Sequence, residues 1–349
     1  MLPEWVHQEC PEISAAHRDV ASARQAQLTK PAGSLGRLEH LACHLAGLQQ
    51  SERPRAARVP IIIFAGDHGV VAQGVSAFPQ QVTIAMMANF ASGGAAISVL
   101  ARELGSRLEV VDAGTLAQSS LAGIVTDKPR HGSRDFSREA ALAPAEVAFA
   151  FECGKRAVLR AGNPDILIFG EMGIGNTTAS SAIAAALLGV GAEQVAGTGT
   201  GVDAKGRALK VRVIDEALAL HGLTRSGVPT EGVLCAVGGL EIIAICGAIV
   251  AAAQRRIPIL IDGFIVSVAA LAATRLNPSC RPYLLASHRS AEQGHRLVLA
   301  ELKIQPLIDL DLRLGEASGA AIALPLLRLA CALHNEMATF AEASVPDRA

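Results

Sequence analysis

The chain has 349 residues, with 31 Lys and Arg against 32 Asp and Glu, a formal charge of −1 at pH 7. Coating nucleic acid or an anionic membrane needs a standing positive excess, so neither is expected as a partner. With 50% apolar and only 18% charged residues and a mean hydropathy of +0.35, a disordered or tail-like protein is excluded and a large buried core is expected.

In chain order, the first 55 residues read as polar, amphipathic helices broken at Pro31, Gly33, Ser34 and Gly36. A small helical domain over residues 1–55 is expected, joined by a C-terminal helix within 320–349, beside an α/β core over 56–319. Strands are predicted at Val59–Phe64, Leu108–Val111, Asp165–Phe169, Val233–Val237, Ile257–Ile261, Arg281–Leu285 and Leu307–Leu310. Helices are predicted at Asn176–Gly189, Leu240–Ala253, Phe264–Arg275 and Ser318–Leu333. Short β-branched runs alternating with Ala-rich helices predict a three-layer α/β fold with a mainly parallel sheet. The segment Gln118–Pro144, rich in Ser, Asp, Arg and Lys, reads as a surface excursion.

The longest apolar run, Ile242–Ala253, is well short of the about 20 residues a bilayer span needs. It reads as a buried helix. The N-terminus, with Glu4, His7, Glu9 and Glu12, lacks the layout of a secretory signal, so a cytoplasmic location is expected. Seven cysteines are scattered with no C-x-x-C pair, which predicts reduced, mostly buried thiols. Ten dispersed histidines without H-E-x-x-H predict no metal site. An aromatic share of 3% argues against a base-stacking platform.

Ligands of open parallel sheets bind beyond the carboxyl ends of the strands. There the sequence places Asp67 and His68 in AGDHG, Asp112, Glu171 in FGEMGIGNTT, Asp262 in LIDGF, Ser287–Ser290 and Glu316 in LRLGEASGA. Each acid alone reads as a helix cap; their coincidence on one rim points to an active site. Gly173, Gly175, Asn176, Thr177 and Thr178 open a helix, and Thr198, Gly199, Thr200 and Gly201 form a second Gly-Thr segment ahead of Lys210. Backbone N–H groups, hydroxyls and a helix dipole suit a phosphate there. Neither segment matches a P-loop or a dinucleotide fingerprint, so a sugar monophosphate fits better, with a plain strand-to-helix turn the alternative. The loop from Gly66 to Thr83 sets polar groups beside Phe78, Met86 and Met87. It reads as a flat aromatic pocket with Ser76 or Gln80 toward the ring nitrogens, or as core packing for the methionines. His68 is a base or a structural partner of Asp67.

The blocks TKPAGSLGRLE (29–39), AGDHGV (65–70), GEMGIGNTT (170–178), GTGTGVD (197–203), DGFI (262–265), SHRSAEQGH (287–295) and LRLGEASGAA (312–320) together resemble the nicotinate-nucleotide:dimethylbenzimidazole phosphoribosyltransferase family. They span almost the whole chain; Gln118–Pro144 matches nothing. The resemblance implies a Rossmann-like sheet with a small helical domain, a homodimer, and no metal or redox cofactor. It implies transfer of phosphoribose from nicotinate mononucleotide to 5,6-dimethylbenzimidazole, giving α-ribazole 5′-phosphate and nicotinate for the lower ligand of cobalamin. Glu316 would be the general base, Glu171 its support, and the Gly-Thr loops with Lys210 the phosphate site. Met172 and Gly263 lie in matched blocks and join the expected binding set. Asp262, Ser287 and His288 either touch ligand or shape their loop. The rival readings are a hydrolase of the same N-glycosidic bond and a non-catalytic nucleotide sensor.

Overall fold

The computed structural model describes residues 2–199, 201–224 and 227–346. Six parallel strands form one sheet: β1 (Ile61–Gly66), β2 (Leu108–Gly114), β3 (Val125–Thr126), β4 (Leu167–Met172), β5 (Ile259–Ile261) and β6 (Leu284–Ala286), in the order β3-β2-β1-β4-β5-β6. The runs IIIFAG, LIFGEM and ILI are buried throughout, as strands covered on both faces must be. Strand order reverses between β1 and β4, which opens a crevice at their carboxyl ends.

The N-terminal helices α1 (Ala15–Gln27) and α2 (Arg37–Gln49) flank the expected break at Pro31–Gly36. The crossovers then supply α3 (Gln81–Ser92), α4 (Ala96–Glu103), α5 (Pro144–Arg160), α6 (Asn176–Leu188), α7 (Ala192–Val195), α8 (Ala204–Leu220), α9 (Thr230–Val237), α10 (Leu240–Gln254), α11 (Phe264–Leu276), α12 (His295–Leu302), α13 (Ser318–Glu336) and α14 (Phe340–Ala343). The segment after α13 returns to the N-terminal helices: Thr29 N–H donates to Ala338 O, and Arg24 caps the His334 and Met337 carbonyls. The apolar stretch Gln81–Glu103 is broken at Gly93, φ 90°, into α3 and α4.

Three expectations are corrected. Val233–Val237 is not a strand but the body of α9; a short apolar run carries no period of its own, and the extended Pro229 before it starts a helix. Leu307–Leu310 makes only an isolated bridge from Ile308 to His288, because Pro306 precedes it and Asp311 turns away at φ 54°. Gln118–Pro144 runs largely at the surface, as expected, but is more than an excursion. It contributes edge strand β3 and folds over the ends of β1 and β2, where Ser133 exchanges backbone bonds with Asp67 and Gly69. The Lys128 ammonium is buried there, donating to Asp112 at 2.7 Å and to the Thr115 and Ala117 carbonyls. The β2 end of the rim is thus covered, while the residues that follow β1, β4, β5 and β6 border the crevice. Strand limits also shift: Pro60 delays β1, and Asp165 precedes β4 because its carboxylate takes the Ala57 and Arg58 N–H groups.

Every residue of α10 from Leu240 to Ala253 is buried, and α10 packs against α5 on glycine. A Cβ at Gly154 would stand 2.5 Å from Ala248 N and overlap the Ala244 carbonyl; one at Gly247 would meet Phe151 O at 2.5 Å. Backbone cannot give way as a side chain does. Gly154→Ala is therefore expected to cost about 1–3 kcal/mol of stability by overpacking, read as a lower denaturant midpoint. An unchanged midpoint would show that the helices separate freely.

Candidate active site

β4 ends in Gly170-Glu171-Met172, with Glu171 buried at the sheet rim. Because Ile261 pairs with Phe169, Asp262 at the end of β5 stands level with Gly170. Facing both is the turn into α13, where Gly315, Glu316 and Ala317 take φ of 83°, 58° and 61°. Two successive non-glycine residues in the left-handed region cost roughly 1–2 kcal/mol each, a strain that persists only where the surroundings fix it. Here it aims the Glu316 carboxylate into the crevice. Two glycines permit the approach: a Cβ at Gly170 would lie 2.5 Å from Ala317 N, and one at Gly315 would overlap the Glu171 carboxylate. Asp262 fixes the turn from below, accepting the N–H groups of Ala320, at 2.9 Å, and Gly319, free donors of the first turn of α13, together with that of its own neighbour Gly263. His288 lies beside it, 3.8 Å from its carboxylate, and accepts or donates to Ser287 Oγ at 2.9 Å.

The acids shift one another. Burial, with the charges of Asp262, Glu241 and Glu316, pushes Glu171 up to about 8, although the Glu316 N–H donates to it. Burial and Asp262 push Glu316 up to about 7. The Asn176 amide also donates to Glu171. The two carboxyls therefore share protons near neutrality.

Away from the acids lies a buried cation. Lys210, from α8, is 2% exposed, yet its Nζ reaches only Thr177 Oγ1 at 3.4 Å and the Gly197 carbonyl at 3.5 Å. Among the described residues no carboxylate lies within salt-bridge distance of it. Burial lowers its pKa, opposed by the charge of Glu292. Lys210 shares a narrow recess with Ser76, Gly173, Gly175, Asn176 and Thr177, at the positive end of α6. Such a recess is built for an anion.

A cavity of about 220 Å³ adjoins this recess. Phe78, Val82, Met86, Met172 and Leu314 give it an apolar wall, Glu171 and Glu316 an acidic end, and Ser290, Glu292 and Arg313 a polar flank. Among the residues picked from sequence, Glu171, Glu316, Met172, Gly173, Asn176, Thr177, Gly199, Gly263, His288 and Ser290 line it, with Phe78 and Met86 of the aromatic-pocket reading. Ser76, Gly175 and Lys210 line the recess. The others stand elsewhere. Gln80 spends its amide on the His68 carbonyl at 2.8 Å. Thr178, Ser287 and Asp262 are buried behind the wall, and Thr198 is exposed, with its carbonyl taking the Gly201 and Val202 N–H groups. Thr200 lies outside the described residues. Asp67 and Asp112 leave the site altogether, the first accepting Leu116 N–H and the second paired with Lys128. Sequence reasoning passed over Glu292, Arg313 and Leu314, although all three sit inside or beside matched blocks. Of the methionine pair, Met86 faces the cavity and Met87 the core.

A Rossmann-type parallel sheet carrying paired acids and an anion recess at its switch point defines an α/β enzyme acting on a phosphorylated substrate. The chain belongs to the phosphoribosyltransferase family whose model, described as "Phosphoribosyltransferase", matches residues 10–345. It is 77% identical to the nicotinate-nucleotide–dimethylbenzimidazole phosphoribosyltransferase of Bradyrhizobium diazoefficiens, over 100% of this chain and 99% of that one. It is 54% identical to the Pseudomonas putida (strain W619) protein of the same name, with the same coverage. The crystal structure of the Thermus thermophilus protein so named superposes with a TM-score of 0.90 at 40% identity, covering 96% of this chain and 100% of that chain.

Both acids have folded pKa values above their ordinary ones, so the stability they contribute is complete below about pH 4.5 and lost as pH rises through 7 and 8. Glu171→Gln, which mimics the protonated acid, is expected to gain stability relative to the native protein between pH 5 and pH 9, by on the order of 1–3 kcal/mol. Urea midpoints across that range measure it; parallel curves would place the charge elsewhere.

Proposed function

We propose that the protein transfers the 5-phosphoribosyl group of nicotinate mononucleotide to 5,6-dimethylbenzimidazole, with inversion, releasing nicotinate and α-ribazole 5′-phosphate for the lower ligand of cobalamin. The observation that carries this reading is the polarity of one continuous site: an anion recess with a buried lysine at one end, two proton-sharing carboxyls at the other, and an apolar wall between. The names of the relatives supply the substrates; the site supplies what those substrates need.

The phosphate sits in the recess, where Lys210 gains the anionic partner it otherwise lacks. The flat, apolar acceptor lies against Phe78, Met86 and Met172. Anchoring both ends pre-aligns the reacting atoms. The pyridinium of the mononucleotide is already a cationic leaving group, so its departure needs little acid assistance. The acceptor is harder to activate: one ring nitrogen attacks the anomeric carbon while the other sheds its proton. Ionised Glu316 takes that proton, and Glu171, protonated beside it, keeps its own charge from competing. Attack opposite the departing nicotinate inverts the centre.

A homodimer and a cytoplasmic location belong to the same reading. In support of the first, α3 buries only Thr83, Met87 and Phe90 of its twelve residues, and two of its other apolar side chains, Val82 and Met86, line the cavity. In support of the second, all seven cysteines are free thiols, six of them buried.

Chromatography of products from nicotinate mononucleotide, with and without 5,6-dimethylbenzimidazole, tests the reaction. Nicotinate and a new ribotide are expected together, and only with the acceptor present; nicotinate without it would mean a hydrolase. Glu316→Gln is expected to lower kcat by about 10²- to 10⁴-fold with the fold intact, and near-normal turnover would remove it from the base role. Lys210→Ala should raise KM for the mononucleotide more than for the acceptor, and an unchanged value would move the phosphate elsewhere.

A further inference from the structure

His68 and Glu241 form a pair that the reaction above does not use. His68 Nε2 lies 2.6 Å from Glu241 Oε1, and both side chains are fully buried. Neither lines the cavity, so His68 is no base toward substrate. What the pair does touch is the back of the site. A Cβ at Gly173 would lie 3.3 Å from Glu241 Oε1, and one at Gly175 would lie 3.1 Å from the Cβ of His68. A Cβ at Gly239 would overlap the His68 ring and lie 2.9 Å from Glu241 Oε2, and one at Gly66 would overlap the same carboxylate. Backbone is thus wrapped around the pair on several sides. The turn from Gly173 to Gly175 separates it from the cavity, with Glu171 just before that turn and Asn176 and Thr177 just after. Two further bonds lock the same place: Gln80 donates to the His68 carbonyl, and Ile174 N–H donates to Thr83 Oγ1 at 3.1 Å.

We propose that His68 and Glu241 are positioning residues of the transferase: the pair backs the Gly173–Gly175 turn so that Asn176 meets Glu171 and Thr177 meets Lys210. This rests on the phosphoribosyl-transfer reading. A rigid backing matters because the turn carries partners of both substrates' ends, and a small shift there misplaces phosphate and acid together.

The charges support the placement. Burial opposes a charge on His68, but the charge and hydrogen bond of Glu241, with Asp67, hold its pKa above the ordinary value. Glu171 is faced by Asp262 from β5, Glu316 from the α13 turn, Glu241 from α10 and the Asn176 amide from α6, with His68 behind Glu241 and His288 beside Asp262. Of the pair, it is Glu241 whose charge helps to raise the Glu171 pKa.

The test compares His68→Ala, His68→Gln and the double variant His68→Gln with Glu241→Gln, which replaces an ion pair by two amides and leaves no lone buried charge. Mononucleotide affinity by calorimetry, KM and kcat for each substrate, the pH profile of kcat/KM and the melting temperature are measured. His68→Ala is expected to weaken mononucleotide binding at least about tenfold, and His68→Gln, which keeps a donor, to recover to within about threefold of native. The double variant should bring the alkaline limb of kcat/KM down by about half a pH unit or more, because a charge holding the Glu171 proton is gone. A lower melting temperature with affinity and pH profile unmoved would overturn the proposal and leave the pair a packing feature. A native protein that binds the mononucleotide but forms no ribotide would overturn the transfer reading instead, while the affinity of His68→Ala would still decide the role of the pair.

Discussion

Three carboxyls gathered in one dry space cannot all be charged, and the site depends on that constraint. Glu171, Glu316 and Asp262 converge from two adjacent strands and one helix start, with Glu241 behind them. In a medium of low dielectric their mutual repulsion, added to burial, keeps at least one proton on the group. An ordinary surface carboxylate would be fully ionised and a weak base. Glu316, raised to about 7, is a stronger one that is still partly ionised at neutral pH.

Holding such a cluster together takes structure that would otherwise be unfavourable. The left-handed turn at Glu316 and Ala317 is strained, and Gly170 and Gly315 are the openings that admit it. Asp262 offsets part of that cost by satisfying the first donors of α13, so one acid is committed to backbone while its neighbours face the cavity. Its charge raises Glu316 from that fixed position. The sheet topology decides where all this occurs. With the β3 segment and Lys128 covering the β2 end, the cavity forms among the residues that follow β1, β4, β5 and β6.

Much of this was legible in the sequence because the apolar runs are long and the glycines sit at turns. The parallel sheet, α6, α10, α11 and α13 follow from buried runs bounded by Gly or Pro, and the family blocks pointed to Glu171 and Glu316. Two segments failed for physical reasons. Val233–Val237 is too short to show a period, and the role of 118–144 rests on bonds between residues far apart in the chain, such as Ser133 with Asp67. The rim acids were legible as a set but not as individuals. Sequence cannot say that Asp112 meets Lys128 or that Asp262 turns toward the α13 backbone, since those partners are chosen by packing. Gln80 and Glu292 show the same limit in opposite directions: one looked like a ligand contact and bonds a carbonyl, the other drew no notice and lines the cavity.

The separation of charge along the site also sets the direction in which a nucleotide can lie. A phosphate in the Lys210 recess meets a buried ammonium, a helix N-terminus and threonine hydroxyls. Reversed, the same dianion would meet Glu171 and Glu316, where added negative charge would drive both acids to full protonation and remove the base. Binding in the wrong sense is therefore disfavoured and, where it occurs, inert. Binding in the right sense leaves the acid end free for a neutral, apolar acceptor, which adds no charge to the cluster until its own proton begins to leave. In the proposed reaction the proton then moves onto Glu316, whose ionised form burial and the Asp262 charge disfavour, so part of the repulsion in the resting site is relieved as the new bond forms.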